Sequence, residues 1–172
     1  MSPQNINPKY HAGLNNKDTK LQKMYIRISQ RESEKGVYKV RPVPKSYKHK
    51  PSRHVVDFER IYGVSTKNTK KISVLTGVSA SKQRRVLSKG RGAYFSSGSK
   101  AGQTPSSWAY ARMASSILGR GACTVDKKIL YPITCRELRN RAKSYASNYK
   151  TTSIHTSPSS TATSFASPHR NS

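Results

Sequence analysis

The stretch KGRGAYFSSGSKAGQTPSSWAYARMASS, Lys89 to Ser116, decides how this chain is read. It holds four glycines, seven serines, four cations, no acid and the only tryptophan. Glycines let the backbone adopt positive φ and approach a ligand closely, serines add hydroxyl donors, and Arg91 and Lys100 supply charge. Thr104 followed by Pro105 is the signature of a helix start. Together these are the parts of an anion site, with a phosphate against Ser96, Ser97, Gly98, Ser99 and Lys100 and with Arg91 and Thr104 beside it. The same residues also suit a tight turn, in which a strand over 93–96 reverses against the Pro105 helix and the serines bond locally to the backbone. Both readings stand on the sequence alone.

Downstream, Trp108, Ala111, Ala114 or Ser115, and Leu118 recur at helical spacing until Gly119, so Trp108 is expected to anchor the core. Tyr94, Phe95 and Tyr110 are candidates for stacking on bases. Thr134 and Glu137 stand at capping-box spacing, and Leu138, Ala142, Tyr145 and Tyr149 then line one stripe of a last helix. Arg136, Arg139 and Lys143 form a basic face opposite that stripe, suited either to solvent or to phosphates.

Upstream, ASKQRRVLSKG reads as a helix capped by Ser79 and stopped by Gly90. SRHVVDFERIYG reads as a helix from about Ser52 to Tyr62, with Gly63 as its left-handed cap. Asp57 and Glu59 within it are expected to be solvated or ion-paired. STKNTKKISVLTGVS looks like a basic loop followed by a short apolar run. Residues 1–45 are polar, basic and interrupted by prolines, with β-compatible runs at MYIRI and VYKV; they are expected to form an extended N-terminal arm. Residues 46–150 would be the basic core around the 89–116 segment, and 151–172, rich in Ser and Thr, a disordered tail. The fold class expected is α+β and helix-rich: a small core of about four helices with short strands, flanked by extended arms.

Thirty-three Lys and Arg face seven Asp and Glu among 172 residues, a formal charge of +26. Mean hydropathy is -0.78. Such an excess calls for a polyanionic partner, either nucleic acid or an acidic protein surface. No apolar run approaches a membrane span or a signal peptide, which suggests an intracellular or packaged protein. Cys123 and Cys135 lack a C-x-x-C pairing or a nearby histidine, so they are expected to be small half-buried thiols in a reducing compartment, without zinc.

Catalytic signatures are weak. GSKAGQT does not have the Gly-Lys-Ser/Thr order of a phosphate-binding P-loop. Ser97 and Lys100 form an S-x-x-K, and Ser99 lies between Gly98 and Gly102 outside a G-x-S-x-G, but no base or orienting residue accompanies them. Asp57, Glu59, Asp126 and Glu137 are scattered, where metal-assisted phosphoryl chemistry needs several carboxylates together. The expectation is a protein with no catalytic residues, no metal and no cofactor; an enzyme acting on a phosphorylated substrate through Ser97, Ser99 or Lys100 is the remote alternative.

The segment KGRGAYFSSGSKAGQTPSSWAYARMASSILGRGACTVD resembles an uncharacterised domain family of large DNA viruses of algae and protists and of some tailed phages. The resemblance rests on Lys89, Gly90, Gly92 to Lys100, Gln103, Thr104, Ser107, Trp108, Ala111, Arg112, Val125 and Asp126. The chain departs from the family pattern at Ala101, where proline is usual, and at Gly119-Arg120-Gly121, where glycines are adjacent. The resemblance implies a viral origin and no established activity. Beside the charge, it suggests a non-enzymatic minor capsid or core protein of the virion, made in the cytoplasm or nucleus of an infected host, whose basic arms and Gly-Ser-Lys motif contact capsid proteins or packaged DNA. The alternative is a soluble, sequence-independent nucleic-acid-binding module acting in replication or packaging.

Overall fold

The computed structural model describes residues 6–154, with side chains through Asn148. After a short 3-10 turn at Pro8–Tyr10 come seven α-helices: α1 (Asn16–Glu34), α2 (Arg53–Tyr62), α3 (Thr69–Thr76), α4 (Ala80–Ser96), α5 (Pro105–Ile117), α6 (Gly121–Leu130) and α7 (Cys135–Ile154). The described residues contain no strand, which corrects the expected α+β class: the fold is all-helical, with more than the four helices expected.

α5 lies at the centre, packed against α2, α4, α6 and α7. Its Ala109, Met113, Ala114 and Ile117 are buried with Phe58 and Tyr62 of α2, Ile72 of α3, Val86 and Leu87 of α4, Leu130 of α6 and Leu138 of α7. Small side chains let α4 and α5 come close. A Cβ on Gly90 would lie 2.7 Å from the Ala109 Cα, so this glycine marks a helix crossing rather than the helix stop expected of it.

The helices begin where sequence chemistry places them. Ser52, Ser79 and Thr104 are N-caps, and Gly63 closes α2 at φ 64°. Thr104 and Ser107 cap each other reciprocally at the start of α5, and Thr134 and Glu137 do so ahead of α7. α4 continues through 93–96, so the strand expected there is helix.

The N-terminal stretch expected to be an extended arm contains α1, and MYIRI lies inside it. α1 buries Asp18, Gln22, Ile26 and Ser29 at helical spacing, a stripe with a single apolar member. Residues 37–50, including VYKV, then run without regular structure apart from a turn at 45–46. The tail expected over 151–172 lies outside the described residues except for the end of α7.

Two further differences concern the middle and end of the chain. The apolar run after the basic loop is α3, closed by Gly77 at φ 72°. Cys123 and Cys135 are joined in a disulfide linking α6 to the first residue of α7, not held as thiols, because the two helices bring their α-carbons to 5.8 Å. No helix among the described residues is long and apolar enough to cross a membrane.

Candidate functional site

The Gly-Ser-Lys segment turns at the carbonyl end of α4. Ser97 caps the helix, and Gly98 takes φ 87°, a conformation that favours glycine. A Cβ there would also stand 3.0 Å from Ile26 of α1 and 3.3 Å from the Tyr10 ring. A Cβ on Gly102 would overlap the Tyr47 ring, leaving no room for a side chain. The Ala101 amide donates to the Tyr10 carbonyl at 3.2 Å. The glycines therefore seat the turn against α1 and the N-terminal residues.

Arg41 sits at the centre of this joint, 8% exposed. Its guanidinium donates to the Tyr94 carbonyl at 2.8 Å, to Ser29 Oγ at 3.0 Å and to Ser99 Oγ at 2.7 Å, while its centre lies 3.8 Å from the Tyr94 ring centroid. Its backbone amide donates to the Tyr94 hydroxyl at 3.1 Å. Gln22 reaches the carbonyls of Tyr10 and Ser99 at 3.3 and 3.2 Å. Burial pulls the Arg41 guanidinium below its usual range, and the nearby Tyr94 and Tyr10 oppose that shift. No carboxylate is among the contacts that hold it. The negative end of the α4 dipole and the face of an aromatic ring take that role.

These contacts divide the expected anion-site residues. Ser99 is 1% exposed; it accepts from Arg41 and donates to the Lys100 carbonyl at 3.0 Å. Gly98 is buried, and Thr104 accepts from the Ser107 amide at 3.1 Å as the α5 cap. Arg91, Ser96, Ser97 and Lys100 remain exposed. Ser96 donates to the Gly92 carbonyl at 3.2 Å. The segment thus splits into an inward half that closes the Arg41 joint and an outward half open to solvent.

The aromatic candidates are also sorted. Tyr94 is fully buried over Arg41 and so presents no free face to a base. Phe95 packs at 5.2 Å against Tyr38, and half-buried Trp108 meets the edge of Tyr10 at 5.9 Å. Trp108 therefore sits at the rim of the packing rather than in the core, while half-buried Tyr110 packs against the core cluster.

Lys89 of α4 and Arg112 and Ser116 of α5 meet at one buried carboxylate on α6. Asp126 accepts from Arg112 Nε at 2.9 Å and Arg112 NH2 at 2.6 Å, and from Ser116 Oγ at 2.8 Å, with Lys89 Nζ at 3.3 Å. Burial alone would raise its pKa, but Arg112, Ser116 and Lys89 outweigh burial and hold the carboxyl below its ordinary value. The cluster ties α4, α5 and α6 together. Sequence reading missed it because Asp126 appeared isolated; the available signal was its place in a motif that also contains Lys89 and Arg112.

Other cations close helix ends. Arg141 donates to the Thr76 carbonyl ending α3, Lys82 to the Leu130 carbonyl of α6 at 3.2 Å, and Arg139 to the Gly119 carbonyl just beyond α5 at 2.8 Å. With few acids available, the fold pairs these cations with carbonyl dipoles at helix ends. Of the expected basic face on α7, Arg139 is therefore committed to Gly119, while Arg136 and Lys143 are exposed.

Residues 7–129 match the sequence pattern of a family of unknown function, DUF5824. The chain belongs to this family. The matched span carries α1 to α5, nearly all of α6, the Arg41 joint and the Asp126 cluster, and stops before α7. No curated protein and no solved structure matches the chain.

The carboxylates are mostly engaged within the molecule. Asp18 accepts from the Ser46 amide at 2.7 Å, Glu32 pairs with Lys39, Asp57 with Arg53, Arg60 and Arg120, Glu59 accepts from Thr66, and Glu137 caps α7. The surface keeps the surplus of cations. Lys17, Lys20, Arg27 and Arg31 follow one exposed face of α1, and Arg84, Arg85 and Arg91 are exposed on α4. Among the described residues no three His, Cys, Asp or Glu side chains come together as a metal site.

Proposed function

We propose that this chain is a non-enzymatic basic protein that binds nucleic-acid backbones without reading their sequence, and that it serves as a structural component of a DNA-virus particle. The observation that carries the binding is the separation of charge: most carboxylates are paired within the molecule, while helix faces of α1 and α4 present cations to solvent. Phosphates neutralise such a surface and release counterions. The viral setting rests on the motif from Lys89 to Asp126. α1 and Arg41 pack on the core, so binding is assigned to helix surfaces rather than to an extended N-terminal arm. Serine chemistry through Ser99 gains no support, since its hydroxyl is enclosed in the Arg41 joint.

Binding of the full chain to a fluorescent 20-base-pair DNA duplex, measured between about 50 and 200 mM salt, tests the reading. A linear fall of log K with log salt, equal for unrelated sequences, is expected; absence of binding across this range overturns it. Detection of the protein in purified virus particles tests its place in the virion, and its absence there leaves a nucleic-acid-binding module acting outside the particle.

A further inference from the structure

We infer that the outward face of α4 is the surface that seats the nucleic-acid backbone, with Gly92 as the point of closest approach. This inference rests on the binding proposed above and assigns it to one helix face. α4 carries five cations and no acid in Ala80–Ser96. Lys82 is drawn to the end of α6 and Lys89 to Asp126, which leaves Arg84, Arg85 and Arg91 exposed. At about 100° per residue, Arg84 and Arg91 fall along one edge of the outward face and Arg85 along the other. Ser81, Ser88 and Gly92, all exposed, run between these edges. The result is a strip of small residues flanked by cations and ended at the last turn of α4 by Phe95, complementary in charge to a polyphosphate strand; its serine hydroxyls are donors for phosphate oxygens.

Gly92 is the independent observation. A glycine inside a helix costs about 1 kcal/mol relative to alanine, so its presence asks for a reason. Gly90 has one in Ala109, and Gly98 has one in its φ of 87°. Gly92 has helical φ, and a Cβ added there meets nothing within 4 Å. The fold does not require a glycine at this position. Open space there lets a partner lie directly against the helix backbone, and the charge of the surrounding face selects a nucleic acid over a second copy of this +26 chain.

The test is a charge-neutral block. Gly92→Leu in the full chain covers the small-residue strip, keeps the net charge and favours the helix. It is expected to weaken duplex binding at least tenfold with an unchanged salt slope. The pair Arg84→Gln with Arg91→Gln is expected to lower the slope by roughly two, and the charge-matched α1 pair Lys20→Gln with Arg27→Gln to lower it less. Wild-type affinity in Gly92→Leu, or equal slope losses for the two pairs, would place the contact elsewhere while leaving nucleic-acid binding itself intact. Failure of the unaltered chain to bind duplex would instead overturn the function from which this inference starts.

Discussion

Arg112 grips Asp126 through two hydrogen bonds, of 2.9 and 2.6 Å, on a carboxylate whose side chain is fully buried. Removing one partner leaves the other charge enclosed and unpaired, a loss of about 3–5 kcal/mol in such pairs. Asp126→Asn keeps the volume but leaves the largely buried Arg112 without its carboxylate, so the stability read from urea unfolding is expected to fall by about 3–5 kcal/mol. Lys89→Met is expected to cost far less, because Lys89 is 44% exposed and its ion pair is longer at 3.3 Å. Equal losses in the two variants would remove Arg112 as the principal partner.

Gly90 and Gly92 provide a second comparison within one helix turn. Gly90→Ala places a methyl 2.7 Å from the Ala109 Cα, so α4 and α5 must separate, at a cost of about 1–3 kcal/mol that exceeds the gain in helix propensity. Gly92→Ala meets open space and is expected to stabilise by about 0.5–1 kcal/mol. Denaturant midpoints should shift in opposite directions. A stabilising Gly90→Ala would contradict the close crossing.

The same pair of glycines shows what the sequence made legible. Caps written in side chains were readable: Ser79, Thr104-Pro105, Thr134 with Glu137, and Gly63 all lie at the helix ends expected from them. Features set by tertiary contact were not. Gly90 resembles a stop until Ala109 is seen against it. α1 escaped because its buried stripe is Asp18, Gln22, Ile26 and Ser29, which carries almost no hydrophobic period, and the clue lay instead in Asn15 accepting from the Asp18 amide. The anion-site reading of 96–100 identified a constrained segment but not the cation inside it, since Arg41 is held by main-chain carbonyls and hydroxyls that leave no pattern in sequence.

Arg41 yields a prediction of its own. Arg41→Met leaves the Tyr94 carbonyl and Ser99 hydroxyl without their donor and frees residues 37–50 from α4. A loss of about 2–4 kcal/mol is expected, with faster amide exchange in α1 and around residues 94–101. Arg41→Lys restores charge but cannot divide donors between Ser29, Tyr94 and Ser99, so it should recover only part of the loss. Full recovery by lysine would show that charge alone holds the joint.

Stability should fall in two stages on acidification. His54 is held below its ordinary value by burial and by the Arg120 guanidinium, which its Nδ1 faces at 3.3 Å. A base depressed in the folded state contributes stability above its unfolded value, near 6.5, and loses it as pH falls through the folded one. The carboxyls follow. Asp18 is lowered by its hydrogen bonds with Ser46, Asp57 by Arg120, Glu137 by Thr134, and Asp126 by Arg112, Ser116 and Lys89 against the opposing effect of burial. Their contributions are present above their unfolded values, near 4, and disappear as pH falls through the lower folded ones. Urea midpoints taken from pH 8 to pH 2.5 should therefore decline slightly below about 6.5 and steeply below about 4. His54→Gln should remove the first decline and keep the second. Persistence of the first decline in that variant would assign it to a different group.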